Sequence, residues 1–409
     1  MNRRTWIAAA TTAVAALGAI AYGVVPGAAP PPALLAAPAD EVKSVWPPTG
    51  PKWETDPEAA FARARAEDKG VLVYIATEAC PHCKVMAREV WPTAPVVAAA
   101  KDVVLLAVYR WRKDEATTGT PKGGAAKEDT QDSEWAIRLD VKGYPQIRLL
   151  DGWGRALPSS GAHEMDRTAA QVAAGLAAAK SEGRKPKRPD RPDLPAKLLA
   201  RLPEKDRAAA ADPIGSVRCR TWLRAMEKGD WTTADLVALF LADDDAVLRT
   251  RILARLGATQ VGPANGEGYD DAVVEVAAGA VDGPSDYVRG AALALLGKAG
   301  GKRAVKALGD TIGKAIDGRT GWNNPNNVLC EAVEATIATP DKALADPLGR
   351  VLATQAANNY ATVLATRSLI AIGKKCGADV VRAHLDRARK LEGPLAAQIR
   401  KEVEGFRGK

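Results

Sequence analysis

The chain has 409 residues, of which 47% are hydrophobic and 5% aromatic, and its formal net charge at pH 7 is +8. This length is sufficient for two or more domains with proper cores, and the apolar content excludes an intrinsically disordered protein. Nine Lys or Arg and four Asp or Glu lie between Arg184 and Arg207. Much of the positive charge therefore belongs to one short segment, and we predict no nucleic-acid partner.

The first 25 residues have the pattern of a targeting segment. Arg3 and Arg4 precede an uncharged run over residues 6–25, which is typical of a signal peptide or an N-terminal membrane anchor. The run is just long enough to span a bilayer, so a cleaved form, an anchored form and a buried core helix all stay open. We predict an extracytoplasmic location, in the periplasm or cell envelope, where disulfides persist. Residues 26–52 are rich in Pro and Ala and are predicted to form an extended tether.

The stretch after the tether alternates helices and strands. A helix is predicted over Pro57–Asp68, with Asp56 as its N-cap. The apolar runs Val71–Ala76 and Val103–Tyr109 are typical of buried strands, and a helix between them extends to about Trp91. Two near-continuous apolar strands separated by a helix favour parallel pairing in a βαβ unit.

The next elements are shorter. Residues 110–132 are polar and rich in Gly and Lys, which indicates an irregular surface insertion. A short helix is predicted over residues 133–139. Ile147–Leu150 and Trp153–Leu157 are predicted to pair as a hairpin, and a closing helix follows over residues 166–180.

Two cysteines three residues apart, Cys80 and Cys83, lie at the predicted start of a helix. Unpaired N–H groups and the helix dipole stabilise a thiolate there. We expect Cys80 at the surface and Cys83 one turn further along, partly covered. Interconversion of the dithiol and the disulfide transfers two electrons, so the pair favours a redox site. The alternatives are a structural disulfide, half of a zinc site and a copper site that includes His82. We predict no metal and no cofactor.

The second half of the chain has a helical pattern. Residues 183–213 are predicted to be a solvated, proline-rich basic linker. Over residues 214–409 the apolar spacing is helical. A pattern that starts at Val288-Arg289 and ends at Gly297 recurs forty residues earlier, where it starts at Leu248-Arg249 and ends at Gly257. This spacing resembles HEAT-type repeats, which stack helix pairs into a curved solenoid. Cys330 and Cys376 are expected to be small buried residues on apolar helix faces, and a disulfide between two of Cys219, Cys330 and Cys376 stays open as the alternative.

Residues 53–182 carry two motifs that together resemble the thioredoxin-like family. The first is Cys80-Pro81-His82-Cys83 at the head of a helix, and the second is Gly143-Tyr144-Pro145 before a strand, a turn, a strand and the last helix. The Pro-His dipeptide between the cysteines resembles the DsbA type of periplasmic oxidase. The two resemblances together imply an α/β thioredoxin-like domain followed by an all-α HEAT-like repeat domain.

The thioredoxin-like resemblance also implies roles. The first cysteine attacks and the second resolves the mixed disulfide, so Cys80–Cys83 is the expected disulfide. The histidine and the helix end stabilise the thiolate, which makes the disulfide oxidising. The proline of the second motif is cis and lies beside the cysteines, and the residue before it offers its backbone to a substrate peptide. The expected catalytic residues are Cys80, Cys83 and His82, and the expected substrate-binding residues are Tyr144, Pro145 and Pro81.

Two positions depart from the thioredoxin pattern. Tyr74 stands on the strand where thioredoxins have a buried aspartate, and Ala79 stands where they have a tryptophan directly before the first cysteine. Losing the acid removes the usual proton acceptor for the second thiol. Glu78 is either a substitute acceptor or an exposed glutamate without a role.

We therefore predict an exported thiol–disulfide oxidoreductase that acts on protein cysteines and carries a protein-binding helical-repeat domain. Its predicted partners are the thiols or disulfides of exported client proteins, a redox partner protein and a protein held on the repeats, with membrane anchoring by residues 6–25 as a further option. The alternative is a non-catalytic extracytoplasmic adaptor, in which the thioredoxin-like domain is a binding module with a structural disulfide.

Overall fold

The computed structural model describes residues 50–77, 80–109, 134–141, 143–158, 168–184, 187, 190, 192–259, 269–318, 325–355 and 359–406. The predicted targeting segment, most of the tether and the polar insertion lie outside these residues, as do Glu78 and Ala79. In the part of the chain that is described, no helix is both long and apolar enough to cross a membrane. The described residues belong to one unit, which extends from Val42 to Lys409.

The described strands form a small sheet in the order β2-β1-β3. β1 (Val71–Ala76) pairs in parallel with β2 (Val104–Tyr109) and antiparallel with β3 (Gln146–Leu150). The predicted parallel βαβ unit is thus confirmed. Every residue of β1 is buried, which explains why its sequence is continuously apolar instead of alternating.

Helices cover both faces of this sheet. Leu72 and Tyr74 on one face of β1 pack into one cluster, and Val71 and Val73 on the other face pack into a second cluster, together with the helical segment over residues 134–138. Side chains of a strand alternate between its faces, so each cluster receives every second residue. The flanking helices are α1 (Pro57–Glu67), α2 (Pro81–Glu89), α3 (Ala94–Ala100) and α4 (Ala169–Glu182).

Helix α1 begins as its sequence predicts. The Asp56 carboxylate accepts hydrogen bonds from the backbone N–H groups of Glu58, at 2.8 Å, and Ala59, at 3.3 Å. These bonds satisfy donors that have no partner within the first turn. The helix buries Ala60, Phe61 and Ala64. Helix α3 was not predicted, because its seven residues are too few to display a helical period.

The predicted hairpin after β3 is reduced to a turn with a single bridge. Leu150 pairs with Ala156, and within residues 151–158 no further strand forms. The Asp151 side chain accepts hydrogen bonds from the backbone N–H groups of Trp153, at 2.8 Å, and Arg155, at 3.0 Å. Because the carboxylate binds these N–H groups, they are not available to a longer strand ladder.

The helical region, from α5 to α17, forms the rest of the described chain. Its helices are α5 (Ala196–Ala200), α6 (Glu204–Ala210), α7 (Gly215–Lys228), α8 (Thr233–Ala242), α9 (Ala246–Thr259), α10 (Asp271–Val281), α11 (Asp286–Ala299), α12 (Gly301–Asp317), α13 (Pro325–Ala338), α14 (Ala345–Thr354), α15 (Tyr360–Cys376), α16 (Arg382–Arg389) and α17 (Ala396–Glu404). Helices α9, α11, α13, α15 and α17 contact one another in succession, and so do α8, α10, α12, α14 and α16. The helical region is therefore a two-layer array, and its assignment to the HEAT type stays a prediction.

The repeated arginine in the sequence pattern has a structural role in this array. Arg289 donates to the backbone carbonyls of Val281, at 2.9 Å, and Gly283, at 2.6 Å. Arg249 donates in the same way to Asp243, at 2.7 Å. Each arginine therefore binds carbonyl groups at the end of the preceding helix, which have no partner inside that helix.

The expected solvated linker over residues 183–213 is in part a packed structure. Leu194, Leu198 and Leu202 are buried in the core of the helical region, and α5 and α6 lie within the same stretch. The indole N–H of Trp222 also donates to the Ala210 carbonyl at 3.1 Å. Only Leu198 lies within a helix, but all three leucines are covered by the helical region, so residues 194–210 do not act as a spacer.

The cysteines of the helical region differ in exposure. Cys219 is buried, Cys330 is half-buried and Cys376 is exposed. The expectation of burial is therefore wrong for Cys376, which is the last residue of α15. A residue on an apolar helix face is buried only where neighbouring helices cover it, and they do not cover the end of α15 at Cys376.

Candidate functional site

The paired cysteines lie at the N-terminus of α2, as the sequence predicts. Cys80 is the N-cap residue, with extended backbone (φ −91°, ψ 111°), and Pro81 starts the helix. The Sγ atom of Cys80 accepts a hydrogen bond from the backbone N–H of Cys83 at 3.1 Å. A cysteine thus takes the place that Ser, Thr or Asp usually occupies at a helix start. Negative charge on this sulfur is favoured by the N–H donor and by the positive end of the helix dipole.

Both cysteines are more covered than the sequence suggests. Cys80 keeps 7% of its surface exposed and Cys83 keeps none, and both are free thiols. The expectation that Cys80 lies openly at the surface is corrected, although it remains the more accessible of the two. Its side chain packs in a cluster that includes Met86 and Trp91, and this packing removes it from solvent.

The environment of Cys83 holds a proton on its sulfur. A side-chain hydrogen bond with Cys80 raises the pKa of Cys83, and burial raises it further. The two thiols are therefore unequal, since a proton held by Cys83 can be shared with the Cys80 sulfur. The two thiols differ because Cys80 is the N-cap residue, whereas Cys83 lies within the first turn of the helix and is fully buried.

Tyr74 lies behind the second cysteine. Its hydroxyl donates to the Cys83 carbonyl at 3.3 Å, and its hydrogen bond with the Cys83 side chain acts to lower the pKa of that thiol. Burial raises the pKa of the Tyr74 hydroxyl, so the phenol keeps its proton and acts as a donor. From the sequence, only the absence of an acid was apparent at this position. A hydroxyl in the middle of an otherwise apolar buried strand was the available signal.

An aromatic cluster supports this side of the pair. The rings of Trp53 and Trp91 meet edge to face at 4.8 Å between centroids, and the ring of Tyr74 lies 4.9 Å from Trp91. Aromatic contacts at these distances and angles are favourable beyond the area that they bury. The cluster fixes the Tyr74 ring and therefore the position of its hydroxyl.

The second motif lies against the same group of residues. Tyr144 is half-buried and packs on the cluster that contains Cys80 and Cys83. The Tyr144–Pro145 peptide bond is cis, and Pro145 is buried. The structure thus brings Tyr144 together with the cysteines that stand more than sixty residues earlier. By contrast, Pro81 and His82 are exposed on α2.

Metal ligands are sparse in the part of the chain that the structure describes. Within those residues no group of three or more His, Cys, Asp or Glu side chains could hold a metal ion. Cys80, Cys83 and His82 are close in sequence, but His82 is exposed while both thiols are buried. What this arrangement supports chemically is two-electron thiol chemistry.

The comparisons with known proteins concern the same part of the chain. Residues 52–152 match a family model described as thioredoxin-like. No curated protein matches the chain. Among solved structures, one titled "DsbH Oxidoreductase" is similar at 18% sequence identity, with a TM-score of 0.27, over 32% of this chain and 86% of that chain. The sheet, its flanking helices and the family model together show that this part of the chain is a thioredoxin-like domain.

Proposed function

From a thioredoxin-like domain whose first helix after β1 starts at a Cys-Pro-His-Cys sequence, we propose that the protein is an exported thiol–disulfide oxidoreductase acting on protein cysteines. The observation that carries this proposal is the hydrogen bond from the Cys83 backbone N–H to Cys80 Sγ at the N-terminus of α2. It favours a thiolate at Cys80, and the thiolate is the reactive form of a thiol. Export rests on the uncharged run over residues 6–25.

The oxidising reaction balances without a cofactor. A client thiolate attacks Cys80 Sγ of the Cys80–Cys83 disulfide, forms a mixed disulfide with it and releases Cys83 as the leaving thiolate, which takes up a proton. A second client thiolate then attacks the client sulfur of the mixed disulfide and releases the Cys80 thiolate. The client is oxidised by two electrons and the pair is reduced. A partner protein that carries a disulfide accepts these electrons in turn.

The roles of the two cysteines follow from their environments. Cys80 is the more accessible sulfur and accepts the N–H bond, so it is the atom that clients contact. Cys83 is covered, and its pKa is raised by Cys80 and by burial, so it suits the resolving thiol. In the reducing direction the same roles apply, with Cys80 attacking a client disulfide. His82, exposed on the first turn of α2, adds positive charge near the thiolate whenever it is protonated.

Substrate binding is assigned to the loop that packs against the pair. The backbone of Tyr144 offers hydrogen-bonding groups to an extended client peptide, and Pro145 and Pro81 border the same site. Peptide recognition of this kind uses main-chain bonds and tolerates many client sequences. The helical region is proposed to hold a protein partner.

The test combines a potential with a trapping experiment. We expect the Cys80–Cys83 pair to equilibrate with glutathione buffers, and Cys83→Ala to accumulate mixed disulfides with exported proteins, because the resolving thiol is absent. Cys219→Ala, which removes a buried thiol of the helical region, is the matched control and should trap nothing. A pair that never exchanges would overturn the proposal in favour of the adaptor. Stoichiometric Cu(I) binding without exchange would favour the copper site instead.

A further inference from the structure

The segment over residues 138–141 leads directly into the Gly143–Tyr144–Pro145 loop. Asp140 within it has positive φ (52°), and Leu139 and Val141 are buried. The helical region contacts this segment through polar groups of Arg138, Asp140 and Val141. Three independent contacts connect the two.

The first contact is a buried ion pair. The Arg138 guanidinium donates from Nε to Asp245 Oδ2 at 2.8 Å and from Nη2 to Asp245 Oδ1 at 3.4 Å. Asp245 also accepts the backbone N–H groups of Val247, at 3.1 Å, and Leu248, at 3.0 Å, at the start of α9. The N-terminus of α9 therefore fixes the orientation of the Asp245 carboxylate that pairs with Arg138. Two-point pairing of arginine with a carboxylate restricts orientation as well as distance.

The other two contacts come from the first turn of α11. The backbone N–H of Asp286 donates to Asp140 Oδ1 at 3.0 Å, and the Tyr287 hydroxyl donates to the Val141 carbonyl at 2.8 Å. A carboxylate at a helix N-terminus binds an N–H group that has no partner within the helix, and the helix dipole favours its charge. Two helix starts in succession, those of α9 and α11, therefore hold one four-residue segment.

Groups of the thioredoxin-like domain itself also bind this segment. Arg148 of β3 donates to the Leu139 carbonyl at 3.2 Å, and the Val141 N–H donates to the Ala136 carbonyl at 2.9 Å. Val141 consequently has its N–H bound within the thioredoxin-like domain and its carbonyl bound by the helical region. Tyr144 follows three residues later in the chain.

We propose that the helical region positions the substrate-binding loop, and that Tyr287 is a positioning residue for thiol–disulfide exchange with protein clients. This inference rests on the proposed function and assigns to the helical region a task in the exchange reaction itself. Binding geometry at the loop depends on the Val141 carbonyl, whereas the sulfur chemistry depends on the start of α2. The two can be separated because small thiols need only the cysteines, while a polypeptide also needs the loop.

The test compares Tyr287→Phe with Tyr269→Phe in the full chain. Tyr269 also lies in the helical region and donates to a backbone carbonyl, that of Gly257 at 3.4 Å, and makes a matched control. With reduced ribonuclease A as the protein client, we expect Tyr287→Phe to raise KM by about 3- to 10-fold, as the loss of one hydrogen bond implies. With glutathione the rate and the reduction potential should remain within about twofold of wild type, as should every value for Tyr269→Phe.

Amide hydrogen exchange gives a readout that does not depend on activity. Tyr287→Phe is expected to speed exchange at residues 143–150 and to leave α2 unchanged, while Tyr269→Phe alters neither. Equal KM values for the two variants, or slower reaction with glutathione as well, would overturn the positioning role. A wild-type protein that exchanges with neither substrate would overturn the proposed function, and the amide exchange would still decide whether Tyr287 holds the loop.

Discussion

The hydroxyl of Tyr74 lies 3.3 Å from the carbonyl oxygen of Cys83, so a phenol on the central strand supports the backbone of the second cysteine. Thioredoxin-like domains with an acid at this position have a proton acceptor there, whereas a protonated phenol is a donor. The interaction of the Tyr74 hydroxyl with the Cys83 side chain acts to lower the pKa of that thiol, so in the proposed exchange it favours Cys83 as the leaving thiolate. The chain therefore retains a polar group behind the pair, with the opposite hydrogen-bonding role.

Tyr74→Phe tests this role. We expect a peptide thiol to form the mixed disulfide with the oxidised Tyr74→Phe variant about 3- to 10-fold more slowly than with wild type, because the Cys83 thiolate released in this step loses one hydrogen bond. The attack of a second peptide thiol on the mixed disulfide should keep its wild-type rate. Stability should fall by about 1 kcal/mol. Stopped-flow measurement with a fluorescent peptide thiol separates the two steps. If resolution slows and formation does not, the hydroxyl does not act on the leaving Cys83 thiolate and our assignment is wrong.

The Arg138–Asp245 ion pair is expected to be costly to break from one side. Asp245 is buried, so Arg138→Met leaves a carboxylate without its partner and should lower the free energy of unfolding by about 3–5 kcal/mol. The control is Arg303→Met, which removes an exposed pair with Glu275 and should cost less than about 1 kcal/mol. Urea unfolding followed by tryptophan fluorescence checks both values, and a similar loss in the two variants would contradict the prediction.

Glu331 predicts how stability depends on pH. Burial raises the pKa of the Glu331 carboxyl to about 7, with the charge of Asp286 adding to the effect and that of Arg289 opposing it. Because the folded pKa exceeds the usual value of 4.5, the folded state binds more protons than the unfolded state between these two pH values. The protonated Glu331 carboxyl makes its full contribution to the stability of the fold below the unfolded-state pKa. This contribution is lost as the pH rises through the folded-state pKa.

Glu331→Gln should therefore match wild type near pH 5 and exceed it by about 2–3 kcal/mol at pH 8. Glu334→Gln, an exposed neighbour on the same helix, is the control and should leave the pH profile unchanged. Unfolding in urea at the two pH values provides the comparison. Parallel profiles for wild type and Glu331→Gln would show that this carboxylate is ionised without cost.

Leu198→Ala tests whether residues 194–210 are a packed element. Leu198 is fully buried in the core of the helical region, so its truncation should cost about 2–5 kcal/mol. Lys197→Ala changes an exposed neighbour in the same helix and should change stability by less than about 0.5 kcal/mol. A cost at Leu198 no larger than that at Lys197 would mean that this stretch is the solvated spacer that its composition suggests.

Local signals in the sequence were sufficient for much of the fold. The cap at Asp56, the apolar strand Val71–Ala76 and the position of Cys80 at a helix start depend on neighbours within a few residues, and the structure contains all three. The packed stretch after the thioredoxin-like domain was missed because prolines and charges dominate its composition. Its signal was the four-residue spacing of Leu194, Leu198 and Leu202.

Features that depend on distant segments could not be predicted in this way. The coverage of Cys80 depends on side chains from several helices, and no pattern near the motif encodes them. The bond from Tyr287 to the Val141 carbonyl joins residues separated by 146 positions. Nothing in the sequence around Tyr287 indicates such a partner, so this contact could be found only in the folded chain.

The shared use of residues 138–141 also limits how this protein can be divided. The proline-rich stretch over residues 183–213 is where the sequence suggests a domain boundary. A fragment that ends there would expose to water the Arg138 guanidinium and the Val141 carbonyl, which residues at the starts of α9 and α11 bind in the full chain. A fusion of the cysteine-containing domain to another protein would therefore need to include the N-terminal turns of α9 and α11. In recombination between related genes, crossovers that separate the halves should for the same reason yield chimaeras that fold poorly.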